Sequence, residues 1–158
     1  MPIDASELRR VMGHFATGVT VVTSMLDGRP CAMTANSVAS VSLSPPLVMF
    51  CPDNESETRR GVEQSGFFAI NILEEGSERI SRDFSARGPK IWDGIGFHAE
   101  ETGAPVFEDS LAWVDCSVFA QYPGGDHLIV VGEILRADAH AHGNPLLFYR
   151  GGYHTLGS

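Results

Sequence analysis

The sequence predicts a mainly β protein, folded as a closed or partly closed antiparallel barrel with a few short helices. Three observations lead to this fold class. Runs rich in β-branched residues follow one another along most of the chain, glycine-containing turns join several of them as hairpins, and segments with helical periodicity are few. The 158 residues contain no internal repeat and no linker-like segment, so we expect one domain spanning residues 1–158.

The first predicted element is an N-terminal helix. Asp4 can cap this helix, and Glu7 follows three residues later, which is the spacing of a capping box. The apolar residues that recur at helical spacing and form one face are Leu8, Val11, Met12 and Phe15. We expect the helix to end at Gly18.

Two further short helices and a series of strands follow. One helix is predicted over residues 56–65, capped by Ser56, and another over residues 77–85, with Ile80 and Phe84 on one face. The predicted strands span residues 18–25, 30–43, 47–52, 67–73, 111–123, 127–141 and 146–156. Strands therefore make up most of the predicted regular structure.

Turn signals separate these strands. Asp27-Gly28 and Gly124-Gly125-Asp126 predict tight hairpin turns, whereas Pro45-Pro46 is expected to block regular pairing. Residues 86–110, which are rich in glycine and proline, are expected to form a loop. The run 127–135 is apolar on both faces, so we expect burial on both sides, and one of these faces is a candidate dimer interface.

Composition and charge exclude several classes of function. The net charge of −9 disfavours long-range attraction to nucleic acid or to an anionic membrane. No apolar run is long enough to cross a bilayer, and the N-terminus lacks the pattern of a signal peptide. Cys31, Cys51 and Cys116 are odd in number and form no CxxC pair, which argues against a disulfide framework or a structural zinc site. We expect reduced, buried thiols in a cytoplasmic protein.

Two motifs that suggest other chemistry are set aside. His140 and His142 form an H-x-H pair, but no cluster of acids or cysteines completes a metal site, so none is expected. Gly94-Ile95-Gly96 has no third glycine and no strand-to-helix crossover around it. It is therefore not a dinucleotide-binding fingerprint, and a nicotinamide cofactor would bind without a Rossmann domain.

Five phrases stand in an order that points to a family. They are FATGVTVVT (15–23), MTANSVASVSLSPPLVMFC (33–51), FFAINIL (67–73), GGDHLIVVGEI (124–134) and PLLFYRGGY (145–153). From about residue 8 to about residue 153 the sequence resembles the short-chain flavin reductases, which are the reductase components of two-component flavin-dependent monooxygenases. The resemblance implies an FMN-binding split β-barrel of Greek-key topology, a homodimer, and transfer of hydride from NAD(P)H to flavin. The reduced flavin then diffuses to a partner monooxygenase.

The resemblance places the flavin ring and ribityl chain along the second phrase. Small polar side chains in a strand allow backbone N–H groups to approach a ring edge, although an ordinary polar strand has the same composition. The assigned residues are Thr34, Ala35, Asn36, Ser37, Ser40, Val41, Ser42 and Cys51. The apolar run before Cys51 also indicates a core side chain, and not a nucleophile.

The resemblance places the flavin phosphate at the start of the second helix. Ser56 and Thr58 lie there, with Arg59 and Arg60 beside them. Helix-terminal N–H groups attract phosphate, and an arginine adds charge-assisted hydrogen bonds. The alternative is that Ser56 is only an N-cap and that both arginines are solvated. Glu55 departs from the expected pattern, since an acid beside a phosphate is unfavourable.

The turn before the long strand carries the predicted catalytic residue. The resemblance places His127 near the nicotinamide and the flavin ring, with Asp126 as a cofactor-binding neighbour. There the imidazole can orient the carboxamide or stabilise negative charge on reduced flavin. The same tripeptide would also serve as a simple hairpin turn.

Further cofactor-binding residues are assigned on the resemblance alone. Tyr149, Arg150 and Tyr153 are implied to close over the active site, across a dimer interface. The family often has a basic or aromatic residue in the loop that here carries Arg82, Phe84 and Lys90. Packing at strand ends and in the core is the alternative for each of these side chains.

Several functional alternatives remain open at the level of sequence. A flavin-binding electron carrier, or a split-barrel oxidase acting on a pyridoxal-type or corrin-type substrate, would share the fold. The sequence does not distinguish FMN from FAD or NADH from NADPH. It also leaves open whether the flavin stays bound or exchanges as a substrate.

Overall fold

The computed structural model describes residues 2–157, with three helices and twelve strands. The helices are α1 (Ala5–Met12), α2 (Glu57–Ser65) and α3 (Glu78–Ser85). The strands are β1 (Thr17–Gly18), β2 (Thr20–Leu26), β3 (Arg29–Ala35), β4 (Ala39–Leu43), β5 (Pro46–Phe50), β6 (Phe67–Ile72), β7 (Phe97–Ala99), β8 (Pro105–Phe107), β9 (Ala112–Gly124), β10 (His127–Ala139), β11 (Leu147–Tyr149) and β12 (Gly152–His154). The prediction of a mainly β protein with a few short helices is confirmed.

Seven strands form the main sheet, in the order β3-β2-β6-β9-β10-β5-β4, and every neighbouring pair is antiparallel. The two edge strands, β3 and β4, are consecutive in the chain, and the connection between them spans at most about 14 Å. The sheet therefore curls until its edges approach each other. Within residues 2–157 no ladder joins these edges, so the pairing is that of a curled open sheet and not of a closed barrel.

The inner face of the curled sheet carries the larger core. Val22, Phe50, Phe68 and Val130 come from four different strands, and each is fully buried. The rings of Phe50 and Phe68 lie 4.8 Å apart, and burying a side chain of this size stabilises the fold by about 1.5–3 kcal/mol. A Cβ atom on Gly132 would lie 2.4 Å from the Phe68 ring, so glycine is required where β10 passes this ring.

The outer face of β2 and β3 is covered by α3 and the C-terminal strands. Val21 and Ala32 on the sheet pack with Phe84 on α3 and with Leu146, and none of the four is more than 3% exposed. Because both faces of β2 are covered, every residue in the Thr20–Ser24 run is buried. This second core fixes α3 and the C-terminal strands beside the end of β3.

The N-terminal helix ends earlier than predicted. Asp4 caps α1, but the helix ends at Met12, and Gly18 lies in β1, where it pairs with Leu147. The expected end at Gly18 was wrong because pairing with β11 draws residues 17 and 18 into a strand. The predicted apolar face exists but is not covered within this chain: the exposed fractions are 49% for Leu8, 47% for Val11, 57% for Met12 and 71% for Phe15.

Two predictions about strands are corrected. Pro45-Pro46 does not block pairing, because Pro46 is the first residue of β5 and pairs with Leu43, a strand-end position where a missing N–H is tolerated. The predicted strand over residues 146–156 is a hairpin of β11 and β12. Arg150 and Gly151 form its turn with φ values of 50° and 77°, which is the backbone of a two-residue hairpin loop.

Other expectations are confirmed or refined. The turns at Asp27-Gly28 and Gly125-Asp126 join β2 to β3 and β9 to β10. Residues 86–110 are not all loop, because β7 and β8 pair within them. Cys31 and Cys116 are buried free thiols, whereas Cys51 is half-buried. Among residues 2–157, no helix is long and apolar enough to cross a membrane.

Candidate active site

The N-terminal turn of α2 carries the first group of predicted site residues. Ser56 is the N-cap, and its hydroxyl accepts a hydrogen bond from the Arg59 N–H at 3.3 Å. The first N–H groups of a helix have no helical acceptor and carry partial positive charge, so this turn attracts anions. Thr58 is 1% exposed, and its side chain is hydrogen-bonded to the Cys31 thiol. The hydroxyl of Thr58 therefore faces the core, and its backbone N–H is the group that a ligand could reach.

The guanidinium of Arg59 retains an unused donor. Its Nη1 donates to the Asn54 carbonyl oxygen at 3.0 Å, and its Nη2 lies 3.0 Å from Glu63 Oε1. Its Nε is buried and has no hydrogen-bond partner among the described residues. Leaving such a donor unpaired costs roughly 1–3 kcal/mol. Nε has almost no accessible surface, so an anionic oxygen would remove this cost only after the side chain shifts to uncover that nitrogen.

The loop before α2 is attached to the β9–β10 turn. The backbone N–H of Asn54 donates to the Asp126 carbonyl oxygen at 3.0 Å, and its side-chain amide donates to the Gly125 carbonyl oxygen at 3.1 Å. The Leu128 N–H donates to the Pro52 carbonyl oxygen at 3.0 Å and continues this contact. The predicted phosphate site and the predicted catalytic turn are therefore neighbours.

His127 opens β10 at the end of this turn. Its Nδ1 lies 2.7 Å from Asp126 Oδ1, and its side chain is 43% exposed. The hydrogen bond from His127 and the charge of a protonated imidazole hold the pKa of Asp126 below its usual range. A carboxylate beside Nδ1 favours the tautomer with the proton on that nitrogen, which leaves Nε2 to meet a ligand. We call Asn54, Ser56, Arg59, Asp126 and His127 the α2 side of the site.

The predicted ring-binding segment begins beside the α2 side. The Ser37 hydroxyl accepts from the Cys51 N–H at 3.1 Å and donates to the Cys51 carbonyl oxygen at 3.2 Å, so the β3–β4 connection is attached to the end of β5. Ala35 is buried in the inner core. Asn36, Ser40 and Val41 are exposed, and Ser42 is half-buried.

A second group of residues lies on the α3 flank of β3. The Thr34 hydroxyl donates to the Ser81 carbonyl oxygen at 2.7 Å, and the Ser81 and Tyr153 hydroxyls lie 2.6 Å apart. The guanidinium carbon of Arg82 lies 4.9 Å from the centroid of the Tyr153 ring, within the range of a cation–π contact. We call Thr34, Ser81, Arg82 and Tyr153 the α3 side of the site.

Three other assigned residues lie apart from these two groups. Phe84 is 1% exposed and packs against Trp92, with ring centroids 5.1 Å apart, so its ring belongs to the core of this chain. The Arg150 N–H donates to the Gly13 carbonyl oxygen at 2.8 Å, and Tyr149 has a ring contact with His14. The structure thus places Arg150 and Tyr149 beside the turn that follows α1.

Two residues of the site were missed in the sequence, Asn54 and Ser81. Asn54 reaches Gly125 across 71 positions of the chain, and Ser81 reaches Tyr153 across 72 positions. No local pattern marks either residue, because an Asn in a turn and a Ser in a helix are ordinary. Only the tertiary fold identifies their partners.

Comparison with known proteins assigns the chain to a family. Residues 12–157 match the model of the flavin reductase like domain. The reductase subunit HsaB of a flavin-dependent monooxygenase from Mycobacterium tuberculosis is 41% identical over 153 residues, which cover 96% of this chain and 82% of that protein. The FMN reductase (NADH) SmoA of Agrobacterium fabrum is 39% identical, covering 95% of this chain and 85% of its own length.

Solved structures give the same relationship. The NADH:FAD oxidoreductase SgcE6 of Streptomyces globisporus is 37% identical and superposes with a TM-score of 0.93, covering 100% of this chain and 96% of that one. A second structure of SgcE6, in complex with NAD and FAD fragments, gives a TM-score of 0.91 at 38% identity, covering 96% of this chain and 92% of that one. With its sequence and its fold in agreement, the chain belongs to the flavin reductase-like family.

Proposed function

We propose that this protein is an NAD(P)H:flavin oxidoreductase, which transfers hydride from NADH or NADPH to FMN or FAD. The whole chain acts as one domain, and the reduced flavin is passed by diffusion to a partner flavin-dependent monooxygenase. The observation that carries the proposal is the α2 side, where an anion-binding helix turn and a histidine-bearing hairpin are hydrogen-bonded to each other. Relatives that are named as flavin reductases and as monooxygenase reductase subunits support it.

The residues at the start of α2 fit a flavin phosphate. Arg59 has a buried Nε without a partner among the described residues, and the first-turn N–H groups of α2 add a positive electrostatic potential. The Ser56 hydroxyl accepts from the Arg59 N–H and donates to Met33 Sδ at 3.5 Å. Sulfur is a weak acceptor, so this proton can turn to a phosphate oxygen instead. We assign phosphate binding to Arg59, Ser56 and the backbone N–H of Thr58.

The ring-binding role falls to the β3–β4 connection and β4. Asn36, Ser40 and Val41 are exposed and can contact a ligand, whereas the Ser37 hydroxyl is occupied by Cys51 and acts by holding the connection in place. Thr34 and Tyr153 complete the opposite flank through Ser81. A planar ring would lie between the β3–β4 connection, which has exposed polar groups, and the α3 side, whose hydroxyl groups are already hydrogen-bonded.

His127 holds the nicotinamide near the ring or compensates charge there. A bound flavin supplies the hydride acceptor of the reaction. Hydride transfer needs no general base, so the imidazole acts through position and electrostatics. Asp126 fixes the ring of His127 through Nδ1 and leaves Nε2 free for the carboxamide.

We further propose that two copies of the chain associate and that each copy is an FMN-type split barrel. The apolar face of α1, with Leu8, Val11 and Met12 about half exposed, would be covered by the second copy together with exposed Phe15, which follows the helix. Val130 and Val131 are both at most 9% exposed, so the doubly apolar run on β10 is largely covered within one chain. The α1 face is therefore the better candidate for the interface. The cytoplasm, where free thiols stay reduced, is the proposed location.

Turnover with a panel of flavins tests the proposed function. Oxidation of NADH and of NADPH is followed by absorbance, without flavin and with FMN, FAD or riboflavin. We expect flavin-dependent oxidation, and the panel then identifies the preferred flavin and nicotinamide. Tight retention of flavin through gel filtration with no turnover would contradict the proposal and indicate an electron carrier.

A further inference from the structure

Asn54 occupies a junction between the two functional parts of the α2 side. Its carbonyl oxygen accepts from Arg59 Nη1 at 3.0 Å. Its backbone N–H donates to the Asp126 carbonyl oxygen at 3.0 Å, and its side-chain Nδ2 donates to the Gly125 carbonyl oxygen at 3.1 Å. One residue thus bonds to the guanidinium at the helix turn and to both residues of the turn that precedes His127.

These bonds form a continuous path from Arg59 to His127. The β9–β10 loop has only two residues between the strands, Gly125 and Asp126, and Asn54 holds the carbonyl groups of both. Asp126 in turn contacts the imidazole of His127 through its carboxylate. A ligand that orders the guanidinium of Arg59 therefore also restrains Asn54, which holds the Gly125-Asp126 turn.

The side-chain bond is the specific contribution of asparagine. Any residue at position 54 has a backbone N–H and a carbonyl oxygen, but the donor to Gly125 is the amide Nδ2. Gly125 has a φ of 74°, and its carbonyl is one of the two that orient the turn. Removing the side-chain amide leaves the backbone hydrogen bonds to Arg59 and Asp126 in place and removes the hydrogen bond to the Gly125 carbonyl oxygen.

We propose that Asn54 is a positioning residue that couples occupation of the phosphate site to the placement of His127. This inference rests on the proposed function and deepens it. When a phosphate oxygen binds at Arg59, the guanidinium is ordered on the Asn54 carbonyl, and the Asn54 amide holds the turn that carries His127. The flavin phosphate then raises kcat as well as affinity, because it improves the placement of a group used during hydride transfer.

Steady-state kinetics of the intact protein with FMN and with riboflavin test this coupling. Riboflavin lacks the phosphate and serves as the uncoupled substrate. For the unmodified protein we expect kcat with FMN to exceed kcat with riboflavin by about three- to tenfold, the effect expected of one well-formed hydrogen bond. In Asn54→Ala this ratio falls by about twofold or more, mostly through loss of kcat with FMN, while KM for FMN changes less than kcat. The loss is partial because the backbone hydrogen bond from residue 54 to the Asp126 carbonyl oxygen remains.

Two further variants make the result decisive. Asn54→Asp keeps the size of the side chain but places a carboxylate oxygen against the Gly125 carbonyl oxygen, so it should lower the ratio at least as far as Asn54→Ala does. It provides the test if Asn54→Ala does not fold. Asn144→Ala removes an exposed asparagine of the same type far along the chain, and its ratio should equal that of the unmodified protein.

The outcomes separate this inference from the proposed function. A purely structural role of Asn54 would lower kcat equally with both flavins and leave the ratio unchanged, which would overturn the inference. A ratio of one in the unmodified protein would overturn it as well. Both results leave flavin reduction intact, whereas absence of flavin-dependent NAD(P)H oxidation in the unmodified protein would remove the proposed function together with the inference.

Discussion

The α2 side and the α3 side of the site are each stabilised by a different kind of interaction. On the α2 side, backbone groups of Asn54 and Asp126 make the main contacts, and the Nε of Arg59 remains buried without a partner among the described residues. On the α3 side, hydroxyl groups of Thr34, Ser81 and Tyr153 bond within the protein. The α2 side thus keeps an unpaired donor among the described residues, whereas the hydroxyl groups of the α3 side are already paired.

The α2 side therefore bears on the affinity for a ligand, and the α3 side on the stability of the fold around the site. An unpaired donor that is uncovered when an anion arrives gains a full charge-assisted hydrogen bond. A hydroxyl pair that is already closed gains nothing from a ligand, but it keeps β3, α3 and the C-terminal hairpin in one arrangement. Substitutions on the α2 side should therefore change ligand binding and turnover, and substitutions on the α3 side should change mainly the free energy of unfolding.

The largest expected effect follows from removing the imidazole of the α2 side. His127→Ala should lower kcat/KM for NADH by about a hundredfold, because a positioned donor or charge at the reacting centre is lost. Flavin affinity, measured by fluorescence titration, should change by less than about threefold, since the phosphate contacts remain.

His98→Ala is the matched control for His127→Ala. His98 also bonds to a nearby acid, Glu100 at 2.9 Å, and its side chain is 45% exposed. This variant should retain the kinetics of the unmodified protein. Equal losses of NADH use and flavin binding in His127→Ala would refute the role assigned to the imidazole.

A smaller effect is expected on the α3 side. Ser81→Ala and Tyr153→Phe each leave the partner hydroxyl without its bond, so each should lower the free energy of unfolding by roughly 1 kcal/mol, as measured in urea. The double variant should lose less than the sum, because the two hydroxyls share one hydrogen bond. The affinity ratio of FMN to riboflavin should stay constant in all three proteins.

Ser85→Ala provides the control for this pair. Ser85 is an exposed serine on the same helix, and its hydroxyl donates to the Arg82 carbonyl oxygen at 2.9 Å. Its stability should change by less than about 0.5 kcal/mol. A large shift in flavin selectivity for Tyr153→Phe would show that the α3 side contacts the ligand directly.

The smallest effect concerns the reactivity of the cysteines. Burial raises the pKa of Cys31 to about 11 and that of Cys116 to about 12, and it raises the pKa of half-buried Cys51 as well. A raised thiol pKa lowers the thiolate fraction at neutral pH, so alkylation of all three should be slow and should accelerate with rising pH.

Mass spectrometry after alkylation at about pH 8 tests the order of labelling. Cys51 should be modified first, because it is less buried than the other two thiols, and Cys31 and Cys116 only after unfolding. FMN should slow the labelling of Cys51, which bonds to Ser37 beside the α2 side. Labelling of Cys31 ahead of Cys51 would contradict the packing of α2 over β3.

Much of the fold could be predicted from local patterns. The Ser56 cap and the turns at Asp27-Gly28 and Gly125-Asp126 follow from short-range chemistry, and the structure has all three. The end of α1 could not be predicted, because residues 17 and 18 are drawn into pairing with a strand far along the chain. The hairpin at Arg150-Gly151 was missed because arginine rarely adopts positive φ.

In the candidate site, too, contacts between residues far apart in the chain could not be predicted from the sequence. His127 and Arg59 were assigned through the resemblance, and the structure places the two residues on connected segments of the α2 side. Phe84 and Thr58 were assigned by position, but the direction of a side chain depends on the packing of the helix, and both are buried. Asn54 could not be found because its partner belongs to a different hairpin.

The most direct test of the central claim is the affinity of Arg59→Gln for FMN and for riboflavin, measured by fluorescence titration. Arg79→Gln, at an exposed arginine in the first turn of α3, is the control. We expect Arg59→Gln to weaken FMN binding by roughly tenfold or more, the effect of one charge-assisted hydrogen bond, and to leave riboflavin within about twofold. Equal weakening of both flavins, or unchanged FMN affinity, would contradict the assignment of the α2 side to the flavin phosphate.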